Sequence, residues 1–276
     1  MEIYKIGMMK NDIDKNGGMF EYNLIRKELS GCTDDKLILV GGNPYIGENE
    51  VITRILEKYK NKKKIFIATD SIVFAKCMQI MNACDIVLHQ TPKSISKIHP
   101  LQKYSYVPEL FYKEFDSQPI VSGILFGGND TGRQDLFRKY ILGHDGDLRE
   151  YIMAFVKTVN EEGKISDSRI DYNDFMGFMK SYKYSLVISR KEYRELGWVT
   201  PRFMEAIGRN NVPLVDVNYD RYGHLKYISK VNSYIELIDL MKRFDNNPGL
   251  KNGYLEEQRK TFRQAKGKFK EIIMNI

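Results

Sequence analysis

The strongest constraint on the fold is a repeated pattern in which a short apolar run ends in a turn and a helical pattern follows it. The apolar runs cover residues 1–7, 36–40, 65–68, 85–88, 119–126, 185–189 and 212–216. Strands that alternate with helices form right-handed βαβ units, and strands as apolar as these are buried on both faces of a parallel sheet. The pattern therefore predicts the α/β class, with ligand sites at the carboxyl ends of the strands.

The pattern lapses once, between residues 99 and 119, where prolines and tyrosines accumulate. We interpret this stretch as the connection between two domains. The predicted boundaries are 1–115 for the first domain, 116–250 for the second, and 251–276 for a C-terminal helix expected to pack back on the first. Helical patterns are predicted at 19–29, 48–60, 133–142, 148–159, 235–244 and 254–273.

Composition limits the class of protein. Among 276 residues, 43 Lys and Arg outnumber 36 Asp and Glu, and the net charge of +7 weakly favours a polyanionic partner. No apolar run approaches the roughly 20 residues of a membrane-spanning helix, and the first residues lack a secretion signal, so we expect a cytoplasmic protein without a membrane partner. The three cysteines lack CxxC spacing, which favours buried free thiols over a metal site.

One helix start carries two charged residues at a spacing that suits nucleotide binding. Thr200 and Pro201 are typical of the N-cap and the first residue of a helix, whose N–H groups and positive dipole end attract anions. Arg202 and Glu205 lie three residues apart on one face, where the arginine suits a phosphate and the carboxylate suits a ribose diol. An exposed ion pair at an ordinary helix start has the same pattern, and from these residues alone it is the commoner case.

Charged residues also occur where strands of the first half end or begin. Asp70 directly follows a buried strand, so it is either a helix N-cap or a general base aimed into a cleft. Glu21 lies just past a Gly-Gly break and near the carboxyl end of the first strand, and we expect it to face the same cleft. The lysines between residues 58 and 64 are typical of a solvated helix end, with contact to nucleic-acid phosphates as the alternative.

A second candidate phosphate contact follows the strand at 119–126. Gly127 and Gly128 let a backbone approach a phosphate closely, the next helix offers its N–H groups, and Arg133 adds a cation. A Gly-Gly pair after a strand is usually only a turn, so this motif is weak by itself.

Taken in order, these motifs resemble the phage DNA β-glucosyltransferase family of T-even phages, two-domain glycosyltransferases of the GT-B type. The resemblance rests on Asp70 after a strand and Thr69, the Tyr-x-Pro-x-x-x-Tyr pattern of 106–112, Phe126-Gly127-Gly128 with Gly132-Arg133, and Thr200-Pro201-Arg202-Phe203-Met204-Glu205. Matches that keep one order over nearly the whole chain are more specific than any single motif. The resemblance implies two Rossmann-like domains facing a central cleft, with the acceptor on the side of 1–115 and the UDP-sugar on 116–250.

The resemblance also implies a role for each matching residue. Asp70 is expected to be the general base that deprotonates the acceptor hydroxyl as this hydroxyl attacks the anomeric carbon with inversion. Glu21 is expected beside the sugar or the acceptor. The expected donor contacts are Arg202 and Arg133 with the backbone of Gly128 and Asn129 at the diphosphate, Glu205 at the ribose hydroxyls, and the backbone near Ile170 at the uracil.

The activity implied by the resemblance is transfer of a hexose, expected to be glucose, from a UDP-sugar to a hydroxymethylated pyrimidine in double-stranded phage DNA within the infected host cell. Reaching that base requires flipping it out of the duplex. Fixed cations and a helix N-terminus stabilise the leaving diphosphate, so no cofactor and no protein-held metal is required, and stimulation by a divalent ion is left open. The alternatives are a UDP-sugar transferase with a non-DNA acceptor and a catalytically silent nucleotide- or nucleic-acid-binding protein of the same fold.

The chain departs from the family in two places. The family's phosphate loop has a further arginine where this chain has Asp130 or Thr131. The chain is also shorter in its first half, where members of the family meet DNA. The expected donor therefore rests on more residues than the expected acceptor.

Overall fold

The computed structural model describes residues 1–6, 18–41, 48–68, 80–89, 104–105, 112–129, 132–141, 151–159, 165–167, 172–195, 197–221, 223, 225 and 228–275, and the structural statements below concern these residues. The chain divides into two compact units, Met1–Phe111 with Gly267–Ile276 and Tyr112–Lys266. The boundary expected from the sequence, at 115/116, lies a few residues further along the chain.

Five parallel strands form the sheet of the first unit, in the order β1-β2-β3-β4-β5. Helix α1 (Gly18–Glu28) follows the first strand, and helix α2 (Glu48–Lys58) follows the second. The strands are β1 (Glu2–Ile6), β2 (Lys36–Gly41), β3 (Lys63–Ala68), β4 (Ile86–His89) and β5 (Tyr104–Ser105).

Both faces of this sheet are buried. Successive residues of a strand point to opposite faces, so Ile38 packs in a cluster with Ile25 of α1, whereas Leu39 packs in a separate cluster with Ile52 of α2. Every residue of β2 is buried. A strand covered on both faces needs apolar residues at consecutive positions, which explains why this segment is a continuous apolar run instead of an alternating one.

Six strands form the sheet of the second unit, in the order β11-β10-β9-β6-β7-β8, and only the β7–β8 pair is antiparallel. The strands are β6 (Val121–Asn129), β7 (Ile152–Val159), β8 (Ile165–Asp167), β9 (Tyr182–Val187), β10 (Val212–Asp216) and β11 (Lys230–Val231). The helices are α3 (Gln134–Tyr140), α4 (Tyr172–Ser181), α5 (Lys191–Glu195), α6 (Pro201–Gly208), α7 (Tyr234–Asn246) and α8 (Pro248–Asn275). The predicted α/β class with largely parallel sheets is confirmed.

The strand order of the second sheet reverses between β6 and β9. From β6 the chain proceeds to β7 and β8 on one side, and it then returns to β9 and proceeds to β10 on the other side. Such a switch point opens a crevice at the carboxyl ends of the two central strands, where ligands of open α/β sheets bind.

The predicted helix over 148–159 is wrong where the structure describes it, because Ile152–Val159 form β7. This strand pairs in parallel with β6 from Ile124↔Ile152 to Asn129↔Lys157, and it pairs on its other side with β8. The segment is rich in β-branched and aromatic residues, and the ladder hydrogen bonds to β6 override the helical spacing of its apolar residues.

The end of α8 belongs to the first unit. Ile273 is fully buried in the cluster that contains Ile38, and the Lys36 ammonium donates hydrogen bonds to the carbonyl oxygens of Ile273 and Met274, both at 2.9 Å. These bonds satisfy carbonyls in the last turn of a helix, where no intrahelical donor is available. Among the described helices, none has the length and apolarity that a membrane span requires.

Candidate functional site

Four arginines gather at the switch point of the second unit. Arg133 directly precedes α3 beyond the end of β6, Arg190 and Arg194 follow β9, and Arg202 lies in the first turn of α6. The positive charges of the other three all act on the Arg133 guanidinium. A group of like charges at the carboxyl ends of parallel strands is a favourable place for an anion.

Arg202 and Glu205 form an ion pair that is largely removed from solvent. Arg202 Nη1 donates to Glu205 Oε2 at 2.8 Å, and the side chains are 29% and 6% exposed. The commoner alternative for this spacing, a solvent-exposed pair at a helix start, is therefore not what the structure shows. Burial makes this pair costly to form, because two partly desolvated ions recover only part of their hydration energy by pairing. A pair of this kind therefore suits a binding role better than a stabilising one.

The Arg202 guanidinium is held at its Nη1 group and lies over an aromatic ring. Its Nη1 group also contacts Met179 Sδ at 3.8 Å, and its Cζ atom lies 4.6 Å from the centre of the Phe175 ring. The opposite edge, formed by Nε and Nη2, receives no acceptor from the residues that the structure describes. That edge has the fork geometry that binds two oxygens of a phosphate.

Arg133 is a second fixed cation at the same place. Its Nε donates to the carbonyl oxygen of Ile188 at 3.1 Å, just beyond the end of β9. Burial, together with the neighbouring positive charges of Arg190 and Arg202, lowers the pKa of Arg133 to about 10. The group remains a cation at neutral pH, and a bound anion would raise its pKa again by opposing the repulsion from the neighbouring cations.

The two glycines predicted to follow a strand lie inside β6, and they face opposite sides of the sheet. A methyl group at Gly128 would stand 3.8 Å from Arg133 Nη1 and 3.2 Å from Phe126, so the glycine keeps room beside this arginine. A methyl group at Gly127 would overlap the Phe175 ring, whose Cζ atom would be only 2.7 Å away. Gly127 therefore serves side-chain packing, and the predicted phosphate contact of Gly128 stays a prediction.

Arg190 and Arg194 were missed by the sequence interpretation. Arg194 donates to the Ser189 carbonyl at 3.0 Å and pairs with Asp135 at 2.5 Å, which fixes the short helix α5 against α3. The backbone N–H of Lys191 donates to the Gly132 carbonyl at 2.8 Å, so the two loops at the ends of β6 and β9 are joined. The signal that points to these arginines is their position after a buried strand, with Arg190 three residues beyond the end of β9 and Arg194 in the short helix that follows.

The surroundings of Arg194 extend this positive region. The Ser189 side chain is 1% exposed, and its hydroxyl has no hydrogen-bond partner among the described residues. Arg194 also lines a pocket of about 210 Å³, together with Lys191, Glu195, Asn218 and Arg221.

The start of α6 differs from the expected N-cap in one respect. Thr200 has the extended backbone of an N-cap, but its hydroxyl makes no capping bond to the helix. Its N–H and its hydroxyl instead meet the Tyr219 hydroxyl at 3.0 and 3.2 Å. No acidic residue lies in the first turn of α6. The positive end of the helix dipole is therefore not neutralised by its own first turn.

Several predicted site residues lie outside the described part of the chain. These are Asp70 and Ile170, together with the side chains of Glu21 and Asn129, whose backbones lie in α1 and β6. Their expected roles stay predictions. Among the described residues no group of three or more His, Cys, Asp or Glu side chains is arranged to hold a metal ion.

The lysine run at 58–64 lies where α2 ends and β3 begins, which is the amino end of that strand. Lys62 pairs with Asp35 at 2.8 Å, and the Lys58 ammonium lies 5.0 Å from the centre of the Tyr59 ring. These contacts are typical of a solvated helix end, the first of the two readings.

Comparison with protein-family models and with curated proteins gave no match. The chemistry of the site therefore rests on its own residues. The four guanidinium groups carry two more positive charges than Glu205 and Asp135, the carboxylates that pair with Arg202 and Arg194, and this excess suits a diphosphate. The buried Glu205 carboxylate can accept hydrogen bonds from vicinal hydroxyls. A nucleoside diphosphate combines these two recognition elements in one molecule.

Proposed function

We propose that the protein is an inverting, UDP-sugar-dependent glycosyltransferase that transfers a hexose, glucose in the first instance, to a hydroxymethylated pyrimidine in double-stranded DNA. The proposal assigns the chain to the phage DNA β-glucosyltransferases of T-even phages, in a GT-B arrangement of two Rossmann-like domains. It also assigns its place of action to the cytoplasm of an infected host cell.

The observation that carries the donor assignment is the Arg202–Glu205 pair at the switch point of the second sheet. Glu205 is buried, and it is joined to an arginine whose Nε–Nη2 edge has no acceptor among the described residues. With Arg133 beside them, these residues favour a ligand that presents an anion and a diol a few ångströms apart. The order of the same residues in the chain is that of the family, which selects a UDP-sugar among nucleoside diphosphates.

In the proposed reaction, the acceptor oxygen bonds to the anomeric carbon while the bond from that carbon to the phosphate oxygen breaks. The bonding electrons leave with UDP, so negative charge grows on the diphosphate. Arg202 and Arg133 meet this charge with cations that are already in place, which lowers the barrier without reorganisation. The proton of the acceptor hydroxyl passes to Asp70. UDP-sugar is a co-substrate, and no cofactor is required.

The acceptor assignment draws on the resemblance and on charge. The net charge of +7 suits a polyanion, whose phosphates bind through lysine and arginine. A hydroxymethyl group on a stacked base cannot reach a protein carboxylate, so the nucleotide must flip out of the duplex before Asp70 can act.

The test is transfer of label from UDP-glucose to three matched duplexes that contain hydroxymethylcytosine, hydroxymethyluracil or cytosine at one position. We expect label in a hydroxymethylated duplex and none in the cytosine duplex. D70A should abolish transfer while UDP binding persists, and R202A should weaken both. R243A is the matched control, because Arg243 is an exposed arginine of the same unit on α7.

The outcomes separate the two halves of the proposal. Binding of UDP without label in any duplex would contradict the DNA acceptor and favour a different acceptor or a binding protein. A wild-type protein that binds no UDP would contradict the donor assignment. Unchanged transfer by D70A would contradict the assignment of the base.

A further inference from the structure

We propose that Phe175 is a positioning residue that fixes the orientation of the Arg202 guanidinium, and that Gly127 is a glycine because this ring needs its space. The inference rests on the proposed function, since it concerns how the diphosphate-binding arginine is held.

The ring lies directly against the arginine. Phe175 is buried on α4, and the Arg202 Cζ atom lies 4.6 Å from its ring centre, within the range of a cation–π contact. Met179 lies one turn further along α4 and meets Arg202 Nη1 through its sulfur at 3.8 Å. Residues four apart share one face of a helix, so α4 presents the aromatic ring and the thioether to the guanidinium together.

The other side of the ring lies against the sheet. A methyl group at Gly127 would overlap the Phe175 ring, so the ring occupies the space that the side chain of any other residue at position 127 would fill. Gly127 lies in the regular strand β6 and has no positive φ, and therefore this glycine is not required by its backbone conformation. The absent side chain is what permits the stack of strand, ring and guanidinium.

The stack determines which edge of Arg202 meets a ligand. Glu205 takes Nη1 from one side, and Phe175 restricts the plane of the guanidinium, which leaves the Nε–Nη2 edge in a defined direction. A free arginine side chain loses much rotamer freedom when it binds an anion. A guanidinium that is already stacked and bonded loses less, so the same contact binds more tightly.

The experiment compares UDP binding by calorimetry and kcat and KM for UDP-glucose in wild type, F175L, F175Y and G127A. The control is F244L, because Phe244 is a buried aromatic of the same unit whose ring contacts, among the described residues, are with Tyr184 and Tyr254. Thermal unfolding of each variant establishes that it is folded.

We expect F175L to raise the Kd of UDP and the KM for UDP-glucose by about threefold to tenfold, the range of a partly desolvated cation–π contact. F175Y keeps an aromatic face and should restore binding to within about twofold of wild type. G127A should weaken binding as F175L does, and the double variant should be no worse than either alone, because both changes disturb one stack. F244L should lower the melting temperature without changing the Kd.

A folded F175L that binds UDP as wild type does would overturn the inference, as would equal weakening by F244L. If the glycine variant does not fold, the comparison of F175L with F175Y still decides. UDP binding that depends on Arg202 but not on Phe175 overturns this inference alone. A wild-type protein that binds no UDP overturns the proposed function and this inference with it.

Discussion

Glu205 and Arg202 are predicted to recognise different parts of the donor, and two matched substitutions can separate these roles. E205Q keeps the shape of the side chain and removes its charge, whereas R202M keeps an unbranched chain and removes the cation. Because the pair is joined by a 2.8 Å hydrogen bond, each substitution also disturbs the partner. The two roles can therefore be distinguished only by comparing the affinity of each variant for ligands that lack either the diphosphate or the ribose hydroxyls.

The magnitudes follow from the observed burial. A hydrogen bond to a charged group contributes about 1.5–3 kcal/mol, and the 29% exposure of Arg202 favours the lower part of that range, so R202M should weaken UDP about tenfold to thirtyfold. E205Q keeps a neutral acceptor for the ribose and should weaken UDP about threefold to tenfold. Breaking the pair should lower the free energy of unfolding by about 1–2 kcal/mol, less than for a fully buried pair.

The assay is a set of calorimetric titrations with uridine, UDP and a UDP analogue that lacks both ribose hydroxyls. The weakening caused by E205Q should appear with UDP and vanish with the dideoxy analogue. The weakening caused by R202M should appear with both diphosphates and vanish with uridine. R243A should bind every ligand as wild type does. If E205Q weakened UDP and the dideoxy analogue equally, Glu205 would act only through Arg202, and the ribose assignment would be refuted.

Three further predictions concern the fold that supports the site. Burial by itself raises the pKa of Asp216, but hydrogen bonds from Lys139 and other donors lower it below the ordinary 3.8. The Asp216 carboxylate therefore stabilises the fold above about pH 4, and this stabilisation is lost as the pH falls through the lowered pKa. Urea unfolding should show D216N about 1–3 kcal/mol less stable than wild type at pH 7 and closer to wild type at pH 3. G208A should lose about 3 kcal/mol in the same assay, because its methyl group would overlap the Lys113 carbonyl oxygen; an unchanged midpoint would contradict the close approach. Burial raises the pKa of Cys84 to about 12, so mass-spectrometric mapping should find this thiol unmodified by an alkylating reagent at pH 8 until the protein is unfolded.

Seven of the eleven described strands were predicted, because a strand buried on both faces leaves a short apolar run in the sequence, whereas β5, β7, β8 and β11 were not predicted. The strand β2 is buried at every position and is apolar at every position except Lys36, whose ammonium donates to the carbonyl oxygens of Ile273 and Met274. The wrong prediction at β7 is of a different kind. Ile152–Val156 is a continuous apolar run that fits a buried strand as well as a helix, and pairing with β6 and β8 decides for the strand.

The candidate site was predictable in its residues and not in its environment. The spacing of Arg202 and Glu205 indicated a shared helix face, but their burial depends on Phe175 and Met179 of α4, which lie far earlier in the chain. The sequence indicated that the Gly-Gly pair matters. It did not indicate that Gly127 makes room for the Phe175 ring, because the position of that ring depends on the packing of α4.

Arg190 and Arg194 were not predicted as site residues, because only carboxylates and glycines were considered at the carboxyl ends of β9 and its neighbours. Their convergence with Arg133 follows from the adjacency of β6 and β9, which are separated in the chain by two other strands. Long-range pairing of this kind follows from topology, and the composition of either segment does not reveal it.

The most direct test of the central claim is the mass of a duplex that carries one hydroxymethylated pyrimidine, measured after incubation with the wild-type protein and UDP-glucose. We expect the modified strand to gain the mass of one hexosyl residue, which is a hexose less one water, UDP to be released in equal amount, and D70A to produce neither change. A modified strand of unchanged mass, measured with a protein that binds UDP, would contradict the claim that this site serves sugar transfer to DNA.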